Sequence, residues 1–573
     1  MKPWWEQFPD RYKRELKELT DRGITFERDP NAWANGQLVL ELTYAPDGKK
    51  ALHFRATFPD TYPFTRFEVQ GTDLTLPRHQ NPFGKQLCFF GRSTRNWYTD
   101  DTLAGVLVER LPLVRAAAEE GSEARALEEA QGEPFTDFYP YLFDSGVLVD
   151  SSWRLDPMIP AGKLRLSVSQ EQPLRGAILE VLDKAGAVMA EADPAIAGSQ
   201  QGSAMPGRWV RLQAPIREDK PTRLLQFLCA QFPDLVRPRM HFQRGKNRPI
   251  YPDIIGVVFP EEVRQGAFQD SWIFVVRTLQ SVYLARACRA GRADIAGRIP
   301  ELAPLKNKRV AVIGLGALGA PSALEFARSG VGVLKMADYD FVEAGTIGRW
   351  PLGLVAAGRR KAHTIHEFIL RNYPYTKVEM FPGMVGGAFQ PDDYADRRHL
   401  DALLDCNLIY DSTAEYGIQN LLSNLAAERG IPYICVSTTE GAWGGLIARI
   451  RPGRTQGCWC CLQHAMNAGT IRSPAGNPSG HIQPIGCASP TYTGAGFDVN
   501  MIALAGVRLA VSTFCERAED GYPETDWDVA VIDLRTADGQ LITPHWETHV
   551  LTRHPDCANE TTHSNRVVIG ATA

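Results

Sequence analysis

The sequence predicts a multidomain protein with an α+β unit, a β-rich middle and a parallel α/β unit, in that order. Three observations carry this. A chain of 573 residues is too long for a single core. Before about residue 135, strand-period segments follow a polar helix, whereas from Asn307 onward apolar strands alternate with helices. Between them, short strands such as KLRLSV and RWVRLQ are interspersed with Gly, Pro and Ser. The expected boundaries are 1–135, 136–300 and 301–573.

A hydrophobic content of 44% and a charged content of 22% are those of ordinary globular protein. A net charge of −4 gives no reason to expect nucleic acid or an anionic membrane as a partner. No apolar run approaches a membrane span, and the start MKPWWEQFPDRYKRELKELT lacks the apolar stretch of a signal peptide. The eleven cysteines are odd in number and unevenly spaced, with Cys458, Cys460 and Cys461 crowded together. That pattern favours metal binding or catalysis over a disulfide scaffold, and a reducing cytoplasm is expected.

The first unit opens with its polar helix, then strands at Gln37 to Tyr44 and Ala51 to Phe58. After Trp97, Thr99 or Asp100 can cap a helix whose Leu103, Val106, Leu107 and Leu111 share one face. The acidic, alanine-rich Ala116 to Glu133 reads as the exposed end of this unit. Inside it, Phe58-Pro59, Tyr62-Pro63-Phe64, His79, Asn81, Gly84, Leu87-Cys88 and Trp97 form one ordered string. The string resembles that of ubiquitin-conjugating enzymes, where FPxxYPF precedes HPN, a short loop, G-x-[IL]-C and a tryptophan. By this resemblance Cys88 would carry an acyl group as a thioester. Asn81 would donate a hydrogen bond to the oxyanion formed when an amine attacks. Gln80 stands where the family has proline, a change expected to alter turn stiffness more than chemistry. His79 is read as bracing the loop, since no partner carboxylate is evident nearby in the sequence. The alternatives are an ordinary buried cysteine, or a domain of this kind that binds without catalysing.

The middle region, with AGSQQGSAMPG from Ala197 to Gly207, carries no assignable chemistry and reads as a connecting domain that spaces the other two. Beyond it, Val310 to Ile313 is a β-branched strand running straight into Gly314, Gly316 and Gly319. Glycines in GxGxxG spacing let the backbone turn tightly and approach phosphates at the N-terminus of the next helix. Asp338 lies where an acidic side chain meets a ribose hydroxyl. Nicotinamide and flavin enzymes share both features. Arg349 and Lys361 discriminate between the classes. They supply two cations just beyond Asp338, which suits charge building on a triphosphate as a carboxylate attacks the α-phosphorus.

DYDFVEAGTIGRW and the lysine after it resemble the DxDxVExSNLNRQ…K pattern of the ThiF family. The resemblance implies ATP and Mg2+ as cofactors, with Asp338 on ribose, Arg349 and Lys361 on phosphates, and Asp340 as a further nucleotide-site residue. Two departures stand out. Thr346 replaces the family's asparagine, and Ala414 occupies the position of its magnesium-binding aspartate, so either Asp411 or Glu415 supplies that carboxylate or metal binding differs.

Cys458 and Cys461 stand in CxxC spacing, and Cys557 lies near the C-terminus. In ThiF-like proteins two such pairs hold a structural zinc. Here the second pair is broken by Asn559 and Glu560, so His554, His563 or Cys460 would complete the set, and free buried thiols are the alternative. Cys487 differs in kind, sitting in the Gly-, Pro- and Ser-rich loop HIQPIGCASPTYTGAGFD before an apolar helix. Its place matches the crossover-loop cysteine of ThiF-type proteins, which implies a thiol that attacks the acyl-adenylate. A loop thiol without a role and a zinc ligand are the alternatives, and Cys515 is the reserve nucleophile.

Taken whole, the arrangement resembles bacterial fusions of ubiquitin-conjugating and ThiF-type ubiquitin-activating enzymes, found in CBASS anti-phage operons and related ubiquitination-like operons. The resemblance implies that a partner's C-terminal carboxylate is adenylated, captured on Cys487, passed to Cys88 and conjugated to an amine such as lysine. The partner would be a cyclic-oligonucleotide synthase (a CD-NTase) or a ubiquitin-like protein, and the chain would work as a homodimer. The rival readings are a sulfur-transfer adenylyltransferase acting on a carrier protein, a non-catalytic nucleotide-binding scaffold and, more distantly, a nicotinamide oxidoreductase.

Overall fold

Residues 25–71 fold as an antiparallel meander, β1 (Thr25–Arg28), β2 (Leu38–Tyr44), β3 (Leu52–Phe58) and β4 (Glu68–Gly71). The computed structural model describes residues 2–46, 48, 50–90, 96–119, 133–237, 252–264, 266–386, 397–482 and 491–559. It comprises two compact units, 1–193 with 200–289 and 194–199 with 290–573.

In the meander, Leu52, Phe54, Ala56 and Phe58 alternate into a core shared with Leu103, Val106, Leu107 and Leu111 of the helix Leu103–Ala118. The polar N-terminal helix is in fact two, Trp4–Gln7 and Pro9–Asp21. They break at Phe8, where Pro9 removes an N–H and restricts the residue before it. Neither Thr99 nor Asp100 caps the helix after Trp97. Thr102 does, accepting the Gly105 N–H at 3.2 Å and donating to Glu18 at 2.5 Å. Beside it the buried Glu15 accepts the Leu103 N–H at 2.9 Å and pairs with Arg11 at 2.8 Å. Burial pushes the Glu15 carboxyl above its usual range, against these stabilising contacts.

The middle region is no string of short strands. β5 (Tyr141–Asp150), β6 (Ala161–Gln170), β7 (Arg175–Asp183), β8 (Val188–Glu191), β9 (Ser203–Arg211), β10 (Asp253–Arg264), β11 (Ala267–Arg277) and β12 (Val282–Ala290) form one sheet in the order 5-12-11-10-9-6-7-8. A parallel β5–β7 pairing closes seven of them into a ring, with β8 attached to β7. Much of AGSQQGSAMPG is strand β9 rather than linker. A Cβ at Gly202 would sit 2.0 Å from Val168 O, and one at Gly207 2.8 Å from Leu166 Cδ1, so the glycines permit close strand approach. Ile254 and Val258 face one apolar cluster, while Ile255, Val257 and Phe259 face another with Leu224, Leu225 and Leu228 of the helix Pro221–Gln231.

In the second unit, β13 (Arg309–Ile313), β14 (Val333–Ala337), β15 (Lys377–Phe381), β16 (Leu408–Asp411) and β17 (Tyr433–Thr438) run parallel in the order 15-14-13-16-17. β18 (Gly444–Ile450), β21 (Val529–Arg535) and β22 (Leu541–His549) extend the sheet antiparallel, and β19 (His481–Ile482) pairs separately with β20 (Thr491–Tyr492). Alternate residues face opposite apolar clusters. Val310 and Val312 meet the helices Gly319–Arg328 and Gly496–Phe514, whereas Ala311 and Ile313 share a cluster with Leu422 and Ala426 of the helix Tyr416–Arg429. The expectation that no run approaches a membrane span needs amending. Gly496–Phe514 is long and apolar enough by length and composition, and 72% of its apolar window is buried inside this unit.

Thr102→Ala removes both the cap and the bond to Glu18. It is expected to destabilise the unit by about 1 kcal/mol, lowering its thermal unfolding midpoint by about 2–4 °C in calorimetry.

Candidate functional site

Strand order reverses between β13 and β16, so their carboxyl ends diverge and open a crevice. Gly314 leaves Ile313 with φ +82°, and a Cβ there would stand 3.1 Å from the Ser412 backbone. At Gly319 a Cβ would lie 1.9 Å from Gly314 O, so only glycine closes this turn onto its helix. Around Gly316 a Cβ would meet nothing within 4 Å, which leaves one face of the turn open to a ligand. The helix Gly319–Arg328 has no side-chain cap, and its first-turn N–H groups favour an anion.

Asp338 directly follows β14 and accepts the Leu315 N–H at 2.5 Å and the Asp340 N–H at 2.7 Å. Asp340 in turn binds Lys361 Nζ at 2.5 Å. Lys361 opens the helix Lys361–Asn372, the end a helix dipole makes unfavourable for a cation, and the Asp340 carboxylate offsets that. The structure therefore gathers Gly314, Gly316, Gly319, Asp338, Asp340 and Lys361 at one end of the sheet. Arg349 is engaged differently: its guanidinium is half-buried and bonds Thr491 Oγ1 at 2.6 Å and the Tyr492 carbonyl. Burial lowers its pKa. Thr346 accepts the Arg349 N–H through its carbonyl at 3.0 Å and shapes this bend. Two further residues support the turn, the Trp350 indole on Leu315 O at 2.9 Å and Ser412 Oγ on Gly314 O at 2.8 Å. Neither is legible in the sequence, because the contacts span 35 and 98 residues.

Asp411 is fully buried and accepts Thr413 N–H at 3.0 Å, Thr413 Oγ1 at 2.7 Å and Tyr433 Oη at 2.8 Å. Burial raises it to about 6 despite those bonds, with the Glu415 charge adding to the rise. As a metal ligand it is spent inward. Glu415 is the exposed carboxylate, at the N-cap of Tyr416–Arg429.

Cys458, Cys461 and Cys557 are buried with their sulfurs within 4.8 Å of one another, and Cys458 lies 3.7 Å from Cys461 and 3.6 Å from Cys557. Zn–S bonds of about 2.3 Å at tetrahedral angles separate sulfurs by about 3.8 Å, so the trio fits three zinc positions. Cys461 accepts from Cys458, and also from the His554 N–H at 3.3 Å, and both favour its thiolate. Cys460 is 3.6 Å from Asn420 Oδ1 and is not in the trio, and His554 Nδ1 accepts the Asp556 N–H at 3.2 Å. His563 and Cys487 lie outside the described residues. The reserve nucleophile Cys515 is buried, with its sulfur 3.9 Å from Glu301 O. Burial pushes Cys406 up to about 11 and Cys435 up to about 12, which makes both poor nucleophiles.

Cys88 alone is exposed among the described cysteines. Its N–H donates to the His79 carbonyl at 2.8 Å. Asn81 Oδ1 accepts the Phe83 and Gly84 N–H groups at 2.9 and 3.0 Å, which fixes the amide and leaves Nδ2 as its donor end. One expectation changes here. Gln80 is more than a turn softener. Its buried amide accepts from Leu76 N–H at 2.8 Å and donates toward Gly71 O and Leu74 O, both at 3.2 Å, tying the loop to its surroundings where a proline cannot. His79, expected to brace this loop, pairs with a carboxylate remote in sequence: Glu133, 54 residues on, receives its backbone N–H at 2.7 Å and its Nδ1 at 3.0 Å. Burial pushes Glu133 upward, but the bonds from His79 outweigh it and hold the carboxyl below its usual range.

A raised carboxyl stabilises the fold fully below its unfolded value and loses that contribution as pH rises through the folded one. For Asp411 the loss falls between about pH 4 and pH 7, and Asp411→Asn is expected to flatten the decline of the unfolding midpoint over that window. Thermal unfolding of both proteins across this range checks it.

Residues 293–511 match the ThiF family, a span that contains the glycine turn, Asp338, Arg349, Lys361 and Asp411. The chain is 31% identical to the protein y4oA of Sinorhizobium fredii across 97% of each chain. It is also 31% identical to the probable adenylyltransferase/sulfurtransferase MoeZ of Mycobacterium tuberculosis, over 23% of this chain and 31% of that one. Among solved structures, MccB of E. coli with ATP is 18% identical at a TM-score of 0.32, covering 45% of this chain and 68% of that one. The chain belongs to the family of y4oA and carries a ThiF family domain at residues 293–511.

Proposed function

We propose that the protein activates the C-terminal carboxylate of a partner protein with ATP, holds it as a thioester on Cys487, passes it to Cys88 and conjugates it to an amine, chiefly lysine. The observation that carries this is the convergence of the Gly314–Gly319 turn, Asp338 and the Lys361–Asp340 pair at the carboxyl ends of β13 and β14, inside the ThiF match. That end of the sheet offers backbone N–H groups and a cation to phosphates, and a carboxylate to ribose hydroxyls.

The partner carboxylate oxygen attacks the α-phosphorus of the substrate ATP, and pyrophosphate leaves. Lys361 is the cation beside the turn for the charge that develops, and Arg349 would join it by leaving Thr491 and Tyr492. Magnesium, when bound, neutralises phosphate charge, and Glu415 is the exposed carboxylate suited to hold it. The Cys487 thiolate then attacks the acyl carbon and displaces AMP, and the Cys88 thiolate displaces Cys487 in turn. A neutral lysine amine attacks the Cys88 thioester, the C–S bond breaks, and the amine's proton passes to the sulfur or to solvent. Asn81 Nδ2 is the donor for the oxyanion.

The Cys458, Cys461 and Cys557 trio is proposed as a structural zinc site, which supports the fold rather than the chemistry. A CD-NTase or ubiquitin-like partner, a homodimeric state, a cytoplasmic site of action and a role in anti-phage defence belong to the same proposal, on the resemblance of the fused arrangement. A second reading is a sulfur-transfer adenylyltransferase, favoured by the likeness to MoeZ. It requires Cys487 but not Cys88.

On a non-reducing gel with ATP, magnesium and proteins encoded beside this gene, a thiol-sensitive adduct is expected to survive Cys88→Ala and vanish in Cys487→Ala. Conjugation to lysine should be lost in both. A Cys88→Ala protein that stays fully competent would favour sulfur transfer, and the absence of any adduct despite ATP binding would favour a scaffold. Elemental analysis should find about one zinc per chain. A Cys458→Ser/Cys461→Ser protein should lose it, with the unfolding midpoint lower by roughly 5–10 °C.

A further inference from the structure

The segment that leads from the Cys88 unit into the ring of strands is fastened to the ring. Thr136 donates through its N–H at 2.7 Å and its hydroxyl at 2.9 Å to the buried Glu261 on β10. The same segment reaches the thiol loop at two independent points. Phe83, in the turn that Asn81 organises, packs its ring 5.3 Å from Phe135 and 5.4 Å from the buried Tyr139. On the other side of Asn81, Glu133 grips His79 by its backbone N–H and by Nδ1.

His79 needs that grip. Its φ is +59°, a left-handed conformation that a residue with a Cβ adopts only where its surroundings impose it. The His79 carbonyl then accepts the Cys88 N–H at 2.8 Å. The orientation of the thiol-bearing backbone thus depends on a conformation that Glu133 holds from outside the motif.

We propose that Glu133 is a positioning residue for the Cys88 centre, and that the ring of strands is the platform that keeps it in place. The inference rests on the reading of Cys88 as an acyl carrier. On this account the middle region is part of the conjugating centre and not a spacer. Glu133 reaches the reacting sulfur only through His79, so its effect is on presentation and not on proton transfer.

The test uses the full chain as wild type, Glu133→Ala, Glu133→Gln and Phe83→Ala. Amide hydrogen exchange over residues 79–88 and the rate at which iodoacetamide alkylates Cys88 are read first, because neither needs an acyl partner. Glu133→Ala is expected to speed exchange at least tenfold and to change the alkylation rate severalfold. Glu133→Gln, which keeps an acceptor for the His79 N–H, should restore most of the exchange protection, and Phe83→Ala should loosen the same segment. In single turnover, Glu133→Ala should slow discharge of a preloaded Cys88 adduct to lysine at least tenfold, while loading from Cys487 changes only by the factor that alkylation changes. Unchanged exchange and alkylation in Glu133→Ala would overturn the proposal. So would equal losses in loading and discharge that Gln does not restore, since these mark general destabilisation. Failure of the wild type to form any adduct would instead sink the conjugation reading, and the exchange and alkylation results would still decide the role of Glu133.

Discussion

The parallel pairing of β13 with β16, which sets Ile313 beside Asp411, is the constraint on which the nucleotide-facing end of the second unit depends. Two strands side by side in the sheet but far apart in sequence force the loops at their ends to opposite faces, and a crevice opens between them. A φ of +82° and a Ser412 backbone 3.1 Å from where a Cβ would stand both favour glycine at 314, and Ser412 Oγ then holds the Gly314 carbonyl. Asp338, one strand over, takes the next N–H, and Trp350 takes the next carbonyl. The turn is held by three residues before any ligand arrives, so little ordering is left for binding to impose.

Burial sorts the cysteines. In the sheet core, removing water disfavours the thiolate, and Cys406 and Cys435 titrate far above neutrality. In the Cys458, Cys461 and Cys557 trio three buried sulfurs face one another, and only Cys461, which accepts from Cys458 and from the His554 N–H, is drawn toward its thiolate while the other two are pushed up. At Cys88 the residue is exposed while its backbone is tied to the His79 carbonyl. One residue type thus stands as core packing, as a buried trio of facing sulfurs and as an exposed loop thiol, according to its surroundings.

The middle region shows how composition can mislead. Gly202, Pro206 and Gly207 read as linker residues, yet they lie in or beside a ladder where strands approach too closely for larger side chains. Pro206 pairs only with β6, and the parallel ladder to β10 begins two residues later at Arg208, so its missing N–H interrupts no pairing there.

The sequence by itself determined the local chemistry: the GxGxxG turn after a β-branched strand, the acid at the end of the next strand, the CxxC pair, and the ordered string from Phe58 to Trp97. Each is written in neighbouring residues, because backbone conformation and ligand spacing are set over a few positions. Only the tertiary structure decided what long-range contacts decide. Asp411 was legible as an acid near the site but not as one whose oxygens are consumed by Thr413 and Tyr433. Gln80 was legible as a departure but not as a residue whose amide bonds the loop around it. Thr102 as the cap, Arg349 on Thr491, and Glu133 on His79 all join residues brought together by packing, which period and spacing do not encode.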